Sequence, residues 1–251
     1  WGAITLGTIA LYALFLLYPM AYLIRQSVLD PDTGGFTLAY FTKFFSKSYY
    51  FDTLINSFKV SITATVLSIA IGTPLAYLFT IFKIKGKSVL NILIVVASMS
   101  APFIGAYSWI LLLGRSGVIT AFFKNLGIAI PDIYGFGGIV LVMTLQLFPL
   151  VFLYAKGALK NIDNSLIEAA ENLGCSGIVC FFKVVVPLIM PTLLAAALLV
   201  FMRSFADFGT PMLIGEGYRT FPVVLYTEFI NEVGGSDGFA AAIAVIAIVV
   251  T

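Results

Sequence analysis

Five stretches of this chain carry no charged side chain: residues Ile4 to Ile24, Val60 to Phe82, Val89 to Leu113, Ile133 to Ala155 and Val184 to Met202. About 20 apolar residues are needed to cross a bilayer as a helix, and each run can do so. A sixth apolar run begins at Gly238 and is still apolar at Thr251. At about 1.5 Å per residue it falls short of roughly 30 Å of hydrocarbon, so the expectation is a sixth helix truncated at the chain end. The first residue, Trp1, is not Met, so the N-terminus is expected to be trimmed too. Only 10% of residues are charged, against roughly 25% in soluble domains, so most of the surface must face lipid. The fold class expected is an all-α membrane protein with about six transmembrane helices, and a soluble enzyme is excluded.

Ile4 to Ile24 is not read as a cleaved signal peptide. No basic segment precedes it, and it continues into Arg25, Gln26 and Ser27 rather than a small-residue cleavage site. Loops 83 to 88 and 156 to 183 hold six Lys or Arg against three acids. Loops 25 to 54, 114 to 137 and 209 to 237 hold six against eight acids, over more than twice the length. The positive-inside rule makes the first set cytoplasmic, with both termini on the same side.

The two cysteines, Cys175 and Cys180, fall in a loop assigned to the reducing side, which argues against a disulfide framework. The chain has no histidine. That removes Ser-His and Cys-His catalysis and the common metal triads.

One membrane domain is expected over residues 1–251, with a core at 50–251 and a cytoplasmic loop at 156–183. Asp30-Pro31-Asp32-Thr33-Gly34-Gly35 is a turn signal. Tyr40, Tyr49 and Tyr50 suit an interfacial aromatic belt. Several spans contain helix disruptors: Gly72 and Pro74, Pro102 and Gly105, Gly135, Gly137, Gly138 and Pro149, then Pro187 and Pro191. A proline frees a carbonyl that must lie beside protein or water, so these helices are read as candidates to line a pathway. The alternative is that the glycines allow close helix packing.

The loop after the fourth run has strong helical grammar. Ser165 and Glu168 match a capping box, so a helix should begin near Leu166. Leu166, Ala169, Ala170 and Leu173 then form one apolar face with small residues at its centre, flanked by Glu168 and Glu171. Gly174 supplies the left-handed conformation that ends such a helix, and Ser176 can cap a second one running through Phe181 and Phe182 to Pro187. A helix with an alanine centre and acidic flanks suits a groove on another protein. A helix lying on lipid headgroups would usually be rich in Lys and Arg.

Glu168-Ala169-Ala170, three residues, Gly174, nine residues, Val184, one residue, Val186 and Pro187 resembles the EAA loop, E-A-A-x3-G-x9-I-x-L-P, of permease subunits of binding-protein-dependent ABC importers. Valine stands at both aliphatic positions. Asn56, Gly72-Thr73-Pro74-Leu75-Ala76-Tyr77, and Pro102 with Trp109 and Gly114 also resemble that family. The similarity covers roughly residues 50 to 251 and implies a MetI-like fold in the bacterial inner membrane.

The resemblance implies that Leu166, Glu168, Ala169, Ala170, Leu173 and Gly174 couple the chain to a cytoplasmic ATP-binding subunit, with Leu166 and Leu173 packing beneath. An extracytoplasmic substrate-binding protein would deliver the cargo, and a second permease half or subunit would complete the pathway. No G-x-x-x-x-G-K-[ST] loop is present, so ATP and Mg belong to the partner ATPase, with no cofactor, metal or catalytic residue expected on this chain and no nucleic-acid partner.

Arg203 and Asp207, four residues apart, are candidates to face each other at the end of the fifth span, as pathway residues or as an interfacial ion pair, with Pro187 and Pro191 as further pathway candidates. Asp207-Phe208-Gly209-Thr210-Pro211, Gly215 and Tyr218-Arg219-Thr220-Phe221-Pro222 resemble the iron(III), aminoethylphosphonate, polyamine and thiamine type permeases, iron(III) being the first expectation. Chains of that type often fuse two six-helix halves, and this one looks like a first half.

Two readings of other classes remain beside the importer. An ion-gradient-driven secondary transporter predicts an inverted repeat and acids near mid-membrane, whereas the middle of every span here is uncharged. A non-transport scaffold would not need kinked spans.

Overall fold

The computed structural model describes all residues except 31–33, 83–84, 100, 129–130, 231–236 and 251. The chain is all-α. Among the described residues there is no strand, only one isolated antiparallel bridge between Leu29 and Phe36. The residues fall into two compact units, 1–56 with 220–251 and 57–219.

In the first unit, α1 (Gly2–Tyr12) and α2 (Tyr18–Val28) are joined through a wide π turn at Ala13–Leu17. Together they supply the first apolar span, Ile4–Val28. The unit continues with α3 (Ala39–Ser46) and the opening turns of α4 (Ser48–Ile81), and later α13 and α14 (Phe221–Ile230, Asp237–Val250). Its core is aromatic. Phe44 meets Tyr50 at 6.0 Å and Phe221 at 5.8 Å, and Tyr50 meets Phe239 at 4.9 Å. Tyr50 is therefore not a belt residue: it is buried, and its hydroxyl bonds the Glu228 carboxylate at 3.1 Å. Of the Asp30–Gly35 turn signal, Pro31, Asp32 and Thr33 lie outside the described residues. Its flanks close by the Asp30 N–H on Gly35 O at 3.0 Å and the Gly34 N–H on Asp30 O at 2.8 Å.

The second unit holds most of α4, followed by α5 (Lys87–Ser98), α6 (Pro102–Leu113), α7 (Val118–Asn125), α8 (Phe136–Lys160), α9 (Asn164–Asn172), α10 (Gly177–Cys180), α11 (Val186–Phe205) and α12 (Gly209–Ile214). Among the described residues, five segments are long and apolar enough to span a membrane: Ile4–Val28, Ser48–Ile81, Pro102–Asn125, Phe136–Lys160 and Gly177–Phe205. Lys87–Ser98 and Gly238–Val250 are shorter apolar helices.

The third charge-free run is not one helix, which corrects the expected Val89–Leu113 span. α5 stops at Ser98, and α6 starts with Pro102 in its first turn, preceded by an extended Ala101 at φ −67°, ψ 142°. Proline disfavours helical geometry in the residue before it and is well suited to a first turn. Hydropathy is blind to this break. Beyond α6, an extended Gly114 and Gly117 bracket a turn before the short helix α7, in what the charge pattern reads as a loop.

The fifth span departs in the opposite sense. Helix does not stop at Pro187: α10, a π turn at Phe181–Val185 and α11 form one helix from Gly177 to Phe205. A proline ring ordinarily collides with the carbonyl four residues back. Here the Val186 N–H reaches back to Phe181 O, one residue further than in an α-helix, and Pro187 follows at once. Pro19 is placed the same way after Ala13–Leu17, where the Tyr18 N–H donates to Ala13 O. In both spans the widened turn makes room for the ring.

Small residues set how α4 meets α8. Ser57, Ser61, Ala64, Ser68, Gly72 and Ala76 recur at helical spacing and all are buried. A Cβ added at Gly72 would lie 2.9 Å from both the Phe148 carbonyl oxygen and Val151 Cβ. Close packing, rather than a pathway, accounts for this glycine. Phe79 and Phe152 close the contact with rings 5.2 Å apart, and Val185, Ile189 and Leu193 of the fifth span complete the core.

Candidate functional site

The helix α9 stands between the fourth and fifth spans. Its start differs from the capping-box expectation. The Asp163 carboxylate accepts the Ser165 N–H at 3.0 Å and the Leu166 N–H bonds Asp163 O at 3.1 Å, so Asp163 caps a helix beginning at Asn164 and Ser165 lies inside the first turn. The amide bond holds the Asp163 carboxyl below the usual aspartate range. Gly174 ends the helix as its sequence position predicts. It adopts φ +87°, and the Cys175 N–H closes back on Ala170 O at 3.0 Å. Ser176 sits at the cap position of α10 without a side-chain bond.

The apolar face of α9 points outward. Leu166 is 49% and Leu173 90% exposed, and Ala169 and Glu168 are exposed beside them, with Ala170 half-buried. The expectation that Leu166 and Leu173 pack beneath the loop is thus corrected. Ile167 does that instead, packing with Ile162 on the cluster that contains Leu159 and Phe181. Heptad-like spacing shows which residues share a face but not which of two faces meets the body. In the tail of the motif, Val184 and Val186 are half-buried on either side of a fully buried Val185.

Arg203 and Asp207 do not pair, which corrects the proposed i, i+4 contact. α11 ends at Phe205, so Asp207 leaves the helix; its carboxylate accepts the Thr210 hydroxyl at 2.6 Å and the Thr210 N–H at 3.3 Å. Arg203 stays exposed on α11. Pro187 and Pro191 also lie on the outward side of the helix, away from the core. Asp207 thereby sets up α12, whose Gly209, Thr210, Pro211 and Ile214 are buried and which packs on α6. The segment read as an outer loop from residue 209 is in this part a buried helix.

A further polar cluster was not legible in the sequence. Arg115 Nε bonds Asp132 at 3.0 Å, its Nη2 contacts both Glu216 oxygens at 2.9 Å, and its guanidinium lies 4.8 Å over the Tyr134 ring. The Gly135 N–H donates to Ile214 O at 2.9 Å, tying the end of α12 to the start of α8. The partners are 17 and 101 residues from Arg115, beyond any local pattern. Only the left-handed Glu216, φ 49°, follows a turn signal, at Gly215.

Residues 33–251 match the family model described as "Binding-protein-dependent transport system inner membrane component". The ferric transport system permease protein FbpB of Actinobacillus pleuropneumoniae is 27% identical over 224 residues, 88% of this chain and 32% of the relative. Its namesake FbpB 1 of Haemophilus influenzae is 28% identical over 87% of this chain and 34% of its own length. The chain thus spans about a third of these relatives. The spermidine/putrescine transport system permease protein PotB of Haemophilus influenzae is 28% identical over 91% of this chain and 83% of its own length. In fold, the chain is similar to a chain of a bacterial alginate ABC transporter crystallised with an alginate pentasaccharide-bound periplasmic protein. The TM-score is 0.78, with 17% identity, over 98% of this chain and 88% of that one. With the family model covering residues 33–251, this chain belongs to the family of binding-protein-dependent transport system inner membrane components.

Proposed function

We propose that this chain forms half of the translocation pathway of an ATP-driven importer and that α9 is its coupling helix. The outward apolar face of α9 carries this reading: Leu166, Ala169 and Leu173 are left uncovered beside Glu168 on a helix closed by a left-handed Gly174. An apolar stripe with a small centre suits a groove on a cytoplasmic ATP-binding subunit, with carboxylates at the rim. Ile167 seats the helix on the core, and the chain passes through Gly174 into the continuous helix Gly177–Phe205. A push on α9 therefore has a short covalent path into the fifth span. ATP and Mg are held by the partner, an extracytoplasmic binding protein delivers the cargo, and a second permease half completes the pathway. The chain sits in the inner membrane with α9 and both ends in the cytoplasm, as the lysine distribution favours.

For the cargo we infer iron(III) first, from the two ferric-type relatives, and a polyamine second, from PotB; 2-aminoethylphosphonate and thiamine follow. Ala169→Asp tests the coupling assignment: a charge in the docking face should abolish co-purification of the ATPase while the permease keeps its melting temperature. Retention of the ATPase at wild-type levels would overturn it. A ligand-induced melting shift of the associated binding protein separates ferric ion from polyamine.

A further inference from the structure

The end of α8 that leads into α9 carries a cleft of about 340 Å³ lined by Phe79, Thr80, Lys87, Ser88, Asn91, Lys156 and Lys160. Three ammonium groups converge there from α5 and α8. Lys156 Nζ donates to Asn91 Oδ1 and lies 5.4 Å from the Phe152 ring. Among the described residues no carboxylate forms an ion pair with any of the three; the ion pairs present both belong to Arg115. Like charges gathered without an acid repel one another, and a bound anion would relieve that cost.

The same cleft receives the start of α5. The first i→i−4 bond there is from Leu90 N–H to Gly86 O, no side chain caps the helix, and Gly86 is left-handed at φ 78°. The preceding amides and the helix dipole add to the lysines' positive field. Hydroxyls of Thr80 and Ser88 stand at the rim, although Thr80 Oγ1 already donates to Ala76 O at 2.8 Å.

We propose that this cleft binds the phosphate of an anionic phospholipid headgroup. The chemistry alone would accept any phosphate. The surroundings favour a lipid: Ile81, Phe82, Val89, Leu90, Ile92 and Leu93 beside the lysines are exposed and apolar, providing a path for acyl chains from a basic mouth. A basic pocket between spanning helices at headgroup level is the arrangement that holds such lipids. The lipid would wedge α5 against α8 close to the point where α8 leads into α9.

The test uses the full-length permease purified with its partner subunits, titrated with phosphatidylglycerol or phosphatidylcholine and read by native mass spectrometry. Phosphatidylglycerol should be retained selectively. Lys87→Gln with Lys160→Gln should weaken it by roughly 25-fold, about fivefold per lysine. If the double variant melts early, Lys87→Gln alone should still show about a fivefold loss. Lys124→Gln, in the last turn of α7 and outside the cleft lining, should change nothing. Equal binding of phosphatidylcholine, undiminished binding by the variants, or an equal loss in Lys124→Gln would overturn the proposal. Displacement of the lipid by millimolar inorganic phosphate would overturn the lipid assignment in favour of a free ion.

Discussion

The two ends of α8, about 37 Å apart at 1.5 Å per residue, are built on opposite principles. At its start, three segments are tied together: Arg115 holds Asp132 and Glu216, Gly135 holds Ile214, and α12 is buried against α6. At its finish, charges of one sign gather with no ion pair among the described residues, and α9 rests on the body through few side chains with its apolar face uncovered. One end resolves its polar groups within the chain. The other gathers lysines with no ion pair among the described residues. The proposed coupling helix and lipid cleft both fall at the finish of α8, and neither falls at its start.

The comparison can be broken most severely in the shared shaft. Gly72→Leu would drive a side chain into Phe148 O and Val151 Cβ and should cost about 1–3 kcal/mol or more, loosening both ends together. Thermal unfolding of the purified variant, with hydrogen exchange at 115–135 and 164–174, checks this; protection lost at one end only would count against a common shaft.

A smaller change should loosen one end alone. Gly174→Val places a β-branched residue at φ +87°, at a cost of about 1–2 kcal/mol, and should fray α9 while leaving the Arg115 end protected. Limited proteolysis within 164–176 reads the result.

Arg115→Gln sharpens the other side. Its pairs are exposed, so the loss of stability should be small and should shrink in high salt. A melting-temperature difference that persists unchanged at 1 M salt, where screening acts over roughly 3 Å, would show that packing on Tyr134 matters more than charge.

The smallest effect concerns pH. The Asp163 carboxyl is held below its ordinary range by the Ser165 amide, so its contribution is complete above the unfolded value and is lost as pH falls through the lowered folded value. Exchange at the start of α9 should therefore rise only in acid. Asp163→Ala should show that raised exchange at neutral pH and lose the acid dependence.

Several of these features could be read from neighbouring residues, and others could not. Gly174 was legible because a left-handed helix end is a local backbone requirement. The Ser165–Glu168 spacing suggests a cap that Asp163 takes instead, because Asp163 offers an equally good acceptor two residues earlier and only the folded structure decides which amide is reached. The small-residue seam of α4 was visible only in part, at Gly72, because Ser and Ala are common in apolar helices and signal packing only once the partner helix is known. The break before Pro102 was outweighed by an unbroken apolar run, although the Ala101-Pro102 step carried the relevant steric signal.

By itself, the sequence determined that the chain lives in a membrane as apolar helices, and that the loop after the fourth run holds a short helix ended by glycine. Both follow from local terms: transfer of each segment into lipid, and backbone sterics. Only the tertiary structure decided which face of α9 stays open, that Asp207 turns to Thr210 rather than Arg203, and that Arg115 gathers acids from two distant loops. Those outcomes depend on how helices far apart in sequence pack, and no spacing within one segment encodes them.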